Sequence, residues 1–331
     1  MIERIPQTPP VIAPIPENEP GRPLFSVMIP AYNCSKYLKK CLQSVLRQDM
    51  GPTKMQIEVV DDCSTDADIG ALVKKIGKGR VTYYRKEQNM GSIRNFETCI
   101  NHARGYLIHI LHGDDLVMTG FYAEIERLYK SFPEIGAAFT DFYYIDTKNK
   151  ALYNDEKLLQ KPGVLKDWLY YIAAKQRIQP PAMVVKRTTY EHLGSFYAVK
   201  YGEDWEMWAR IAANYPVAHS PKYLACYRVH HENITGNSLA SGQNIKDINK
   251  VMSIINTYLP TDRRKETMRR ARENFATYYA WMAHALYHHF GNRKGAIKQI
   301  HGALAMHRNP TILKLALKLY IKLLIRYRNR G

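Results

Sequence analysis

A short apolar run, Tyr106 to Leu111, stops abruptly at His112-Gly113-Asp114-Asp115. Its composition and β-branched members predict a strand buried on both faces, as in a parallel sheet. Two adjacent carboxylates at the end of such a strand are costly to bring together unless a cation lies between them. In an open α/β sheet, that end is also where ligands bind. Asp114 and Asp115 therefore read as an oxygen-ligand site for Mg²⁺ or Mn²⁺ holding a phosphorylated ligand. The alternative is a turn in which one of them caps the next helix, Thr119 to Ser131.

The same pattern occurs upstream. Phe25 to Ile29 reads as a strand ended by Pro30, followed by a helix from about Ser35 to Gln48 with Ser35 as N-cap. Met55 to Val60 is a second strand, ending in Asp61-Asp62-Cys63-Ser64-Thr65-Asp66, where Ser64 or Asp66 could also cap a helix. Val81 to Tyr84 is a third strand. A turn, Glu87 to Gly91, leads into an amphipathic helix from Ser92 to Ala103. Near its start, Arg94 is either a phosphate or sugar contact or a solvent-facing ion pair. This alternation over residues 24–116 predicts an α/β fold with a parallel sheet, helices on both faces and right-handed crossovers.

Downstream, Gly136 to Ile145 and Ala182 to Lys186 read as strands, Asp167 to Ala174 as a short helix, and residues 146–163 and 192–199 as loops. A helix begins at Asp204 in Tyr201-Gly-Glu-Asp-Trp-Glu-Met-Trp208. Glu203 and Asp204 sit at its start, where the helix dipole favours carboxylates. They are caps or a general base at a cleft, with the indoles of Trp205 and Trp208 available to stack on a sugar ring. For Trp208, a place in the core is the other reading. Val217 to His219 and Leu224 to Arg228 are expected as two short strands. Arg228 and His230, two apart in an extended segment, share one face and could meet a diphosphate or a metal.

Composition restricts the setting. A chain of 331 residues with 46% hydrophobic content can bury a large core. The start shows no secretory pattern, and no uncharged apolar stretch reaches transmembrane length. Five cysteines, Cys34, Cys41, Cys63, Cys99 and Cys226, form no Cys-x-x-Cys pair and read as free thiols in a cytoplasmic protein. Residues 1–23, with seven prolines, read as a disordered or extended tail. Residues 261–331 hold 16 Lys or Arg against three acids, a balance of +13, so only +5 of the net +18 falls in residues 1–260. Helices are expected over Ile245–Tyr258, Arg263–Phe290, Lys294–Met306 and Thr311–Tyr327. On the last, Lys314, Lys318, Lys322 and Arg326 form a cationic stripe, suited either to an anionic membrane surface or to packing with Lys outward. His284 and His288, four apart on a helix, could bind metal, but with no carboxylate beside them packing and surface polarity are the expected roles. No nucleic-acid motif accompanies the charge, so nucleic acid is not an expected partner.

No glycine-rich phosphate loop or nucleophile elbow is present. The ordered set is Val27-Met-Ile-Pro-Ala-Tyr-Asn33, Val60-Asp-Asp-Cys-Ser-Thr-Asp66, Asn89-x-Gly91 with Arg94-Asn95, His112-Gly-Asp-Asp115 and Gly202-Glu-Asp-Trp205. Over residues 24–235, this set resembles the family 2 glycosyltransferases of GT-A fold, which are inverting and use nucleotide-sugar donors. The resemblance implies that Pro30, Ala31, Tyr32, Asn33 and Asp62, with Asp61 beside it, hold base and ribose, most often uridine. It implies that Asp115 ligates a divalent cation, Mg²⁺ or Mn²⁺, and that Asp114 lies near the donor ribose or sugar. Asn89, Gly91 and Arg94 would belong to the donor site, Arg228 and His230 would lie near the diphosphate or metal, and Asp204 would be the base beside Glu203. The family often has Asp-Ala-Asp or Asp-Asp-Asp where this chain has Gly113-Asp114-Asp115 preceded by His112, which leaves the number of carboxylate ligands open.

The expected division is a tail over 1–23, a GT-A domain over 24–240 and a basic helical region over 241–331. The expected activity is sugar transfer from a UDP-sugar to a glycan or lipid-linked acceptor in cell-surface polysaccharide synthesis, at the cytoplasmic membrane face, with the helical region a possible dimer contact. The rival readings are a sugar nucleotidyltransferase and a non-catalytic nucleotide- or polyanion-binding protein on the same scaffold.

Overall fold

A computed structural model describes residues 3–16, 18–154, 156–230 and 234–325. The strands are β1 (Phe25–Ala31), β2 (Met55–Asp61), β3 (Thr82–Arg85), β4 (Leu107–Ile110), β5 (Leu116–Val117), β6 (Ala137–Ile145), β7 (Ala151–Tyr153), β8 (Gly163–Val164), β9 (Met183–Lys186) and β10 (Val217–Arg228). They form one mixed sheet in the order β3-β2-β1-β4-β9-β6-β10-β5, with β7 paired to β6 and β8 to β10. The helices are α1 (Ser35–Leu46), α2 (Ile69–Gly77), α3 (Ser92–His102), α4 (Phe121–Ser131), α5 (Trp168–Ala174), α6 (Arg187–Leu193), α7 (Glu203–Asn214), α8 (Ile234–Ser241), α9 (Gln243–Tyr258), α10 (Thr261–His288), α11 (Arg293–Met306) and α12 (Pro310–Leu324).

The expected α/β class holds, and β3, β2, β1 and β4 are parallel. Beyond β4 the sheet is mixed. β9 runs antiparallel to β4 and β6, while β10 runs parallel to β6. Six strands therefore point the same way, and their carboxyl ends share one edge. The core of β1 and β2 is almost wholly apolar and buried, as strands covered on both faces require. The two short strands expected at Val217 and Leu224 are one strand, β10, interrupted by register shifts between Ser220 and Ala225. Such shifts let one strand bend and still keep its partner. The expected loop over residues 192–199 begins inside α6, and α8 was not anticipated.

Several anticipated caps lie elsewhere. Neither Asp114 nor Asp115 caps α4. Its first N–H groups are met by Gln48, whose side-chain oxygen accepts from Gly120 and Phe121 at 3.0 and 2.9 Å. Ser35 does not cap α1, whose first N–H donates to Asp66 at 2.9 Å. α2 is capped by Asp68 through the N–H of Ala71, not by Ser64 or Asp66.

The chain divides into two compact units. The first comprises Met1–Trp168, Arg177–Ala198 and Arg210–Val229, and the second Leu169–Gln176, Val199–Ala209 and His230–Gly331. Within the first, the proline-rich segment is extended and fastened to the fold; it is not a disordered tail. Ile12 is buried, Pro10 and Pro6 accept from the N–H groups of Ser195 and Ala198, and the guanidinium of Arg187 donates to Ala13. Proline supplies carbonyls without donors of its own, so such a segment can lie along a surface that offers N–H groups. Within the second unit, α9 and α10 seat the start of α7. Asp247 accepts from the N–H of Tyr201, Tyr258 donates to Glu206, and Phe275 packs on Trp205 at 4.6 Å between ring centroids. His284 Nε2 donates to the backbone carbonyl of Leu315 in α12 at 3.0 Å, a packing role. Arg326 lies outside the described residues.

Candidate active site

The carboxyl ends of β1, β2 and β4 bring the N-terminal motifs together. Asp62 is buried. One of its oxygens accepts from the N–H of Met90 at 2.9 Å, and the other from the N–H of Gly91 at 2.7 Å and the amide of Asn89 at 2.8 Å. Its own N–H donates to Ala31. Asp62 thus ties the end of β1 to the Asn89–Gly91 turn, where Gly91 has φ +87° and needs the conformational freedom of glycine. Asn33 has φ +49°, a left-handed conformation its side chain supports by accepting from the N–H of Thr65 at 2.8 Å. Pro30 and Ala31 are buried in β1, whereas the Tyr32 ring is about half exposed.

Asp61 and Arg94 have other partners. Asp61 is fully buried and bonded to Ser64, Tyr83 and Arg85, at 2.9, 2.8 and 2.6 Å. Arg94 makes the ion pair that was its alternative reading, at 2.7 Å to Glu97, and also donates to the backbone of Glu3. From the N-terminal segment, Arg4 contacts Asn89.

His112, Asp114 and Asp115 offer one ligand atom each within 4.8 Å of one another, and all three stand where β4 ends. Asp115 is 1% exposed. Its Oδ1 accepts from the backbone N–H of Arg228 at 2.8 Å, and its Oδ2 is buried with no hydrogen-bond partner. Burial, followed by the adjacent Asp114 carboxylate, pushes Asp115 well above the usual carboxylate range. A buried, orphaned carboxylate oxygen facing a second acid and an imidazole is the donor set of a divalent cation. The residues fit such an ion. The His112 ring is fixed by stacking on Phe96, at 5.2 Å and 5°. The sequence marked His112 as a departure from the family pattern; only its position beside Asp115 makes it a ligand candidate. Gly113 is required there, since a Cβ would fall 2.6 Å from the Cys34 sulfur.

Arg228 is 1% exposed. Its guanidinium donates to the backbone of Asp114 at 2.7 Å, the backbone of Asp146 at 2.6 Å and Asn149 at 2.8 Å, and lies 4.7 Å over the Tyr37 ring. The structure therefore gives Arg228 protein oxygens as partners and a positioning role behind Asp114 and Asp115, in place of the expected open diphosphate contact. His230 falls in the second unit.

In that unit, Asp204 accepts from the amide of Gln176 and the N–H of Trp205, both at 2.7 Å. Burial raises Asp204 to about 6. Burial, then the Asp204 charge, raises Glu203 well above the ordinary range. The two indoles are not stacking platforms. Trp205 is fully buried with its N–H on Ile172 at 2.6 Å, and Trp208 is 3% exposed. Hydrophobic burial of these large rings decided their place, and neither leaves a face for a sugar.

An α/β sheet with acidic strand ends gathered at one edge defines a nucleotide-sugar transferase scaffold of GT-A type. The model of the family described as "Glycosyl transferase family 2" matches residues 26–188. The chain carries a family 2 glycosyltransferase domain. It is 27% identical over 246 residues to the uncharacterised protein MT1568 of Mycobacterium tuberculosis, covering 71% of this chain and 76% of that one. It is 32% identical over 94 residues to the poly(ribitol-phosphate) β-N-acetylglucosaminyltransferase TarS of Staphylococcus aureus, covering 28% of this chain and 16% of TarS. Several further curated relatives are matched over half or less of their own length. The structure of TarS residues 1–349 in complex with UDP-GlcNAc superimposes with a TM-score of 0.62 at 15% identity, over 92% of this chain and 93% of that one. The mannosyltransferase PcManGT of Pyrobaculum calidifontis, in complex with GDP-Man and Mn²⁺, gives 0.57 at 19% identity, over 96% and 84%. Among the described residues, no helix is long and apolar enough to cross a membrane.

Proposed function

We propose that this protein transfers a hexosyl or N-acetylhexosaminyl group, with inversion, from a UDP-sugar to a hydroxyl of a glycan or lipid-linked acceptor in cell-surface polysaccharide synthesis. The observation that carries the reading is the orphaned Asp115 oxygen beside His112 and Asp114, on the same sheet edge as the Asp62-held turn. The UDP-GlcNAc complex of TarS supports a uridine donor, and the Mn²⁺ complex of PcManGT supports a metal.

In this reading Asp115, His112 and Asp114 hold Mg²⁺ or Mn²⁺. Such a cation supplies Lewis-acid stabilisation to the departing nucleoside diphosphate. The Pro30–Asn33 loop, with Tyr32 exposed, and the Asp62–Asn89–Gly91 turn bind the nucleoside. Asp114 lies toward the donor ribose or sugar. Asp204 takes the acceptor proton; its position near 6 leaves it ionised yet basic at neutral pH, and general-base help typically contributes about 10²- to 10⁴-fold.

For location, we propose contact with an anionic membrane through α12. One side of that helix, Ile312, Leu315, Ala316 and Leu319, is buried in the protein, yet Leu313, Leu317, Ile321 and Leu324 remain exposed, the last at 82%. Lys314 and Lys318 flank this second apolar stripe. Apolar side chains bordered by lysines suit the headgroup boundary of an anionic leaflet.

The test of the enzyme reading is calorimetric titration with UDP and UDP-GlcNAc, in Mn²⁺ and in EDTA, for wild type and Asp115→Ala. Metal-dependent binding absent from the variant is expected. Equal binding by both proteins in EDTA would overturn the metal assignment, and no binding of either compound would overturn the uridine donor.

A further inference from the structure

With Trp205 and Trp208 buried, another aromatic surface is needed for sugar stacking, and the β6–β7 hairpin carries one. We propose that Tyr153, Tyr144 and Tyr227 form an acceptor subsite that stacks on a pyranose ring of a glycan; this rests on the transferase reading above.

The three tyrosines are in register across adjacent strands. Tyr153 of β7 pairs with Tyr144 of β6, and Tyr144 pairs with Tyr227 of β10. Residues paired in register share a face of the sheet, so the rings form one row. The Tyr144 and Tyr153 rings stack at 4.3 Å and 23°, and Tyr227 meets Tyr144 edge-on at 5.8 Å and 85°. Tyr144 and Tyr227 are each the second-last residue of their strand, at the edge where the aligned strands end and ligands of α/β sheets bind.

Two features separate this row from ordinary sheet packing. First, β7 is a three-residue strand, Ala-Leu-Tyr, with every residue exposed and Tyr153 at 56%. Exposed edge strands usually carry charge, because bare apolar edges invite aggregation. Tyr153 keeps more than half of its surface exposed on that edge. Second, the hairpin is held from the donor side. Arg228 follows Tyr227 directly, and its guanidinium fixes the β6–β7 turn at Asp146 and Asn149 while also gripping Asp114. A strand this short is marginal alone. The arginine that positions the carboxylates therefore also makes the tyrosine row rigid.

The occupant is a sugar rather than an apolar protein face because the rim is polar. The amide of Gln179 reaches the Tyr144 hydroxyl at 3.5 Å, and Asn154 follows Tyr153 in the chain. A pyranose offers apolar C–H groups on its faces and hydroxyls at its edge, which this surface matches.

The experiment is a printed array of hexose and N-acetylhexosamine oligosaccharides probed with labelled full-length wild type, Tyr153→Ala and Tyr153→Phe. Calorimetry with UDP-GlcNAc and Mn²⁺ runs in parallel. Tyr153 is chosen because its exposure lets the variants fold. Expected is wild-type binding to a subset of glycans, about tenfold weaker for Tyr153→Ala and retained for Tyr153→Phe, the scale of one lost aromatic stack. Wild type that binds UDP-GlcNAc but no glycan, or Tyr153→Ala that binds glycans as wild type does, overturns the subsite and leaves the transferase reading intact. Wild type that binds neither overturns the transferase reading and the subsite with it.

Discussion

Asp115→Asn isolates what the buried carboxylate does. The amide keeps an oxygen for the Arg228 N–H, so the 2.8 Å bond at Oδ1 survives. At Oδ2 it replaces an orphaned oxygen of a group that can ionise with a neutral amide that cannot, 3.9 Å from His112 Nδ1. An unsatisfied buried polar group costs about 1–3 kcal/mol. At 3.9 Å the amide is no better hydrogen-bonded, so the gain comes from the lost charge: without metal, at a pH where Asp115 is ionised, the variant is expected to be more stable by about 1–3 kcal/mol, about 2–12 °C in melting midpoint for a unit of this size. Because burial raises the Asp115 pKa above its unfolded value, wild type loses stability as pH rises through it; asparagine does not titrate, so the gap widens with pH. Mn²⁺ reverses the order. A ligand at about 1,000 times its dissociation constant stabilises by about 4 kcal/mol, more than the penalty, and only wild type binds it. The assay is differential scanning fluorimetry in EDTA and in Mn²⁺ at two pH values. A variant that melts below wild type in EDTA, or that gains as much from Mn²⁺ as wild type does, refutes the argument.

Two further outcomes follow from the same geometry. With Asp204 raised to about 6 and acting as base, turnover is expected to fall as pH drops below about 6, and Asp204→Asn to lose about 10²-fold or more while still binding UDP; a pH–rate profile flat from 5 to 8 counts against it. Leu317→Glu with Leu324→Glu, both on the exposed stripe of α12, is expected to abolish sedimentation with phosphatidylglycerol vesicles without lowering the melting midpoint; unchanged sedimentation removes the membrane contact.

The sequence by itself determined the sheet's first half and its acidic edge. Apolar runs that end in carboxylates have few folds open to them, because a buried strand must be covered on both faces and its charged end must reach solvent or a cation. That logic placed Asp62 and Asp115 at strand ends; in the structure Asp62 directly follows β2, whereas Asp115 lies in the turn after β4, immediately before β5. Local pattern also located the four C-terminal helices, apart from their ends.

What the tertiary structure decided is which side chains are available for chemistry. Indoles on an amphipathic helix read the same whether they face ligand or core, and only the packing of Phe275 and Ile172 around Trp205 settles it. Arg228, on which the hairpin turn and both carboxylates converge, draws its partners from residues about 80 to 115 positions away, beyond any periodic signal. The N-terminal prolines lie against the fold because distant N–H groups donate to their carbonyls, and His112 becomes a ligand candidate because its ring, stacked on Phe96, stands beside Asp115. Burial and partner choice depend on contacts distant in sequence, and a linear pattern carries no record of those contacts.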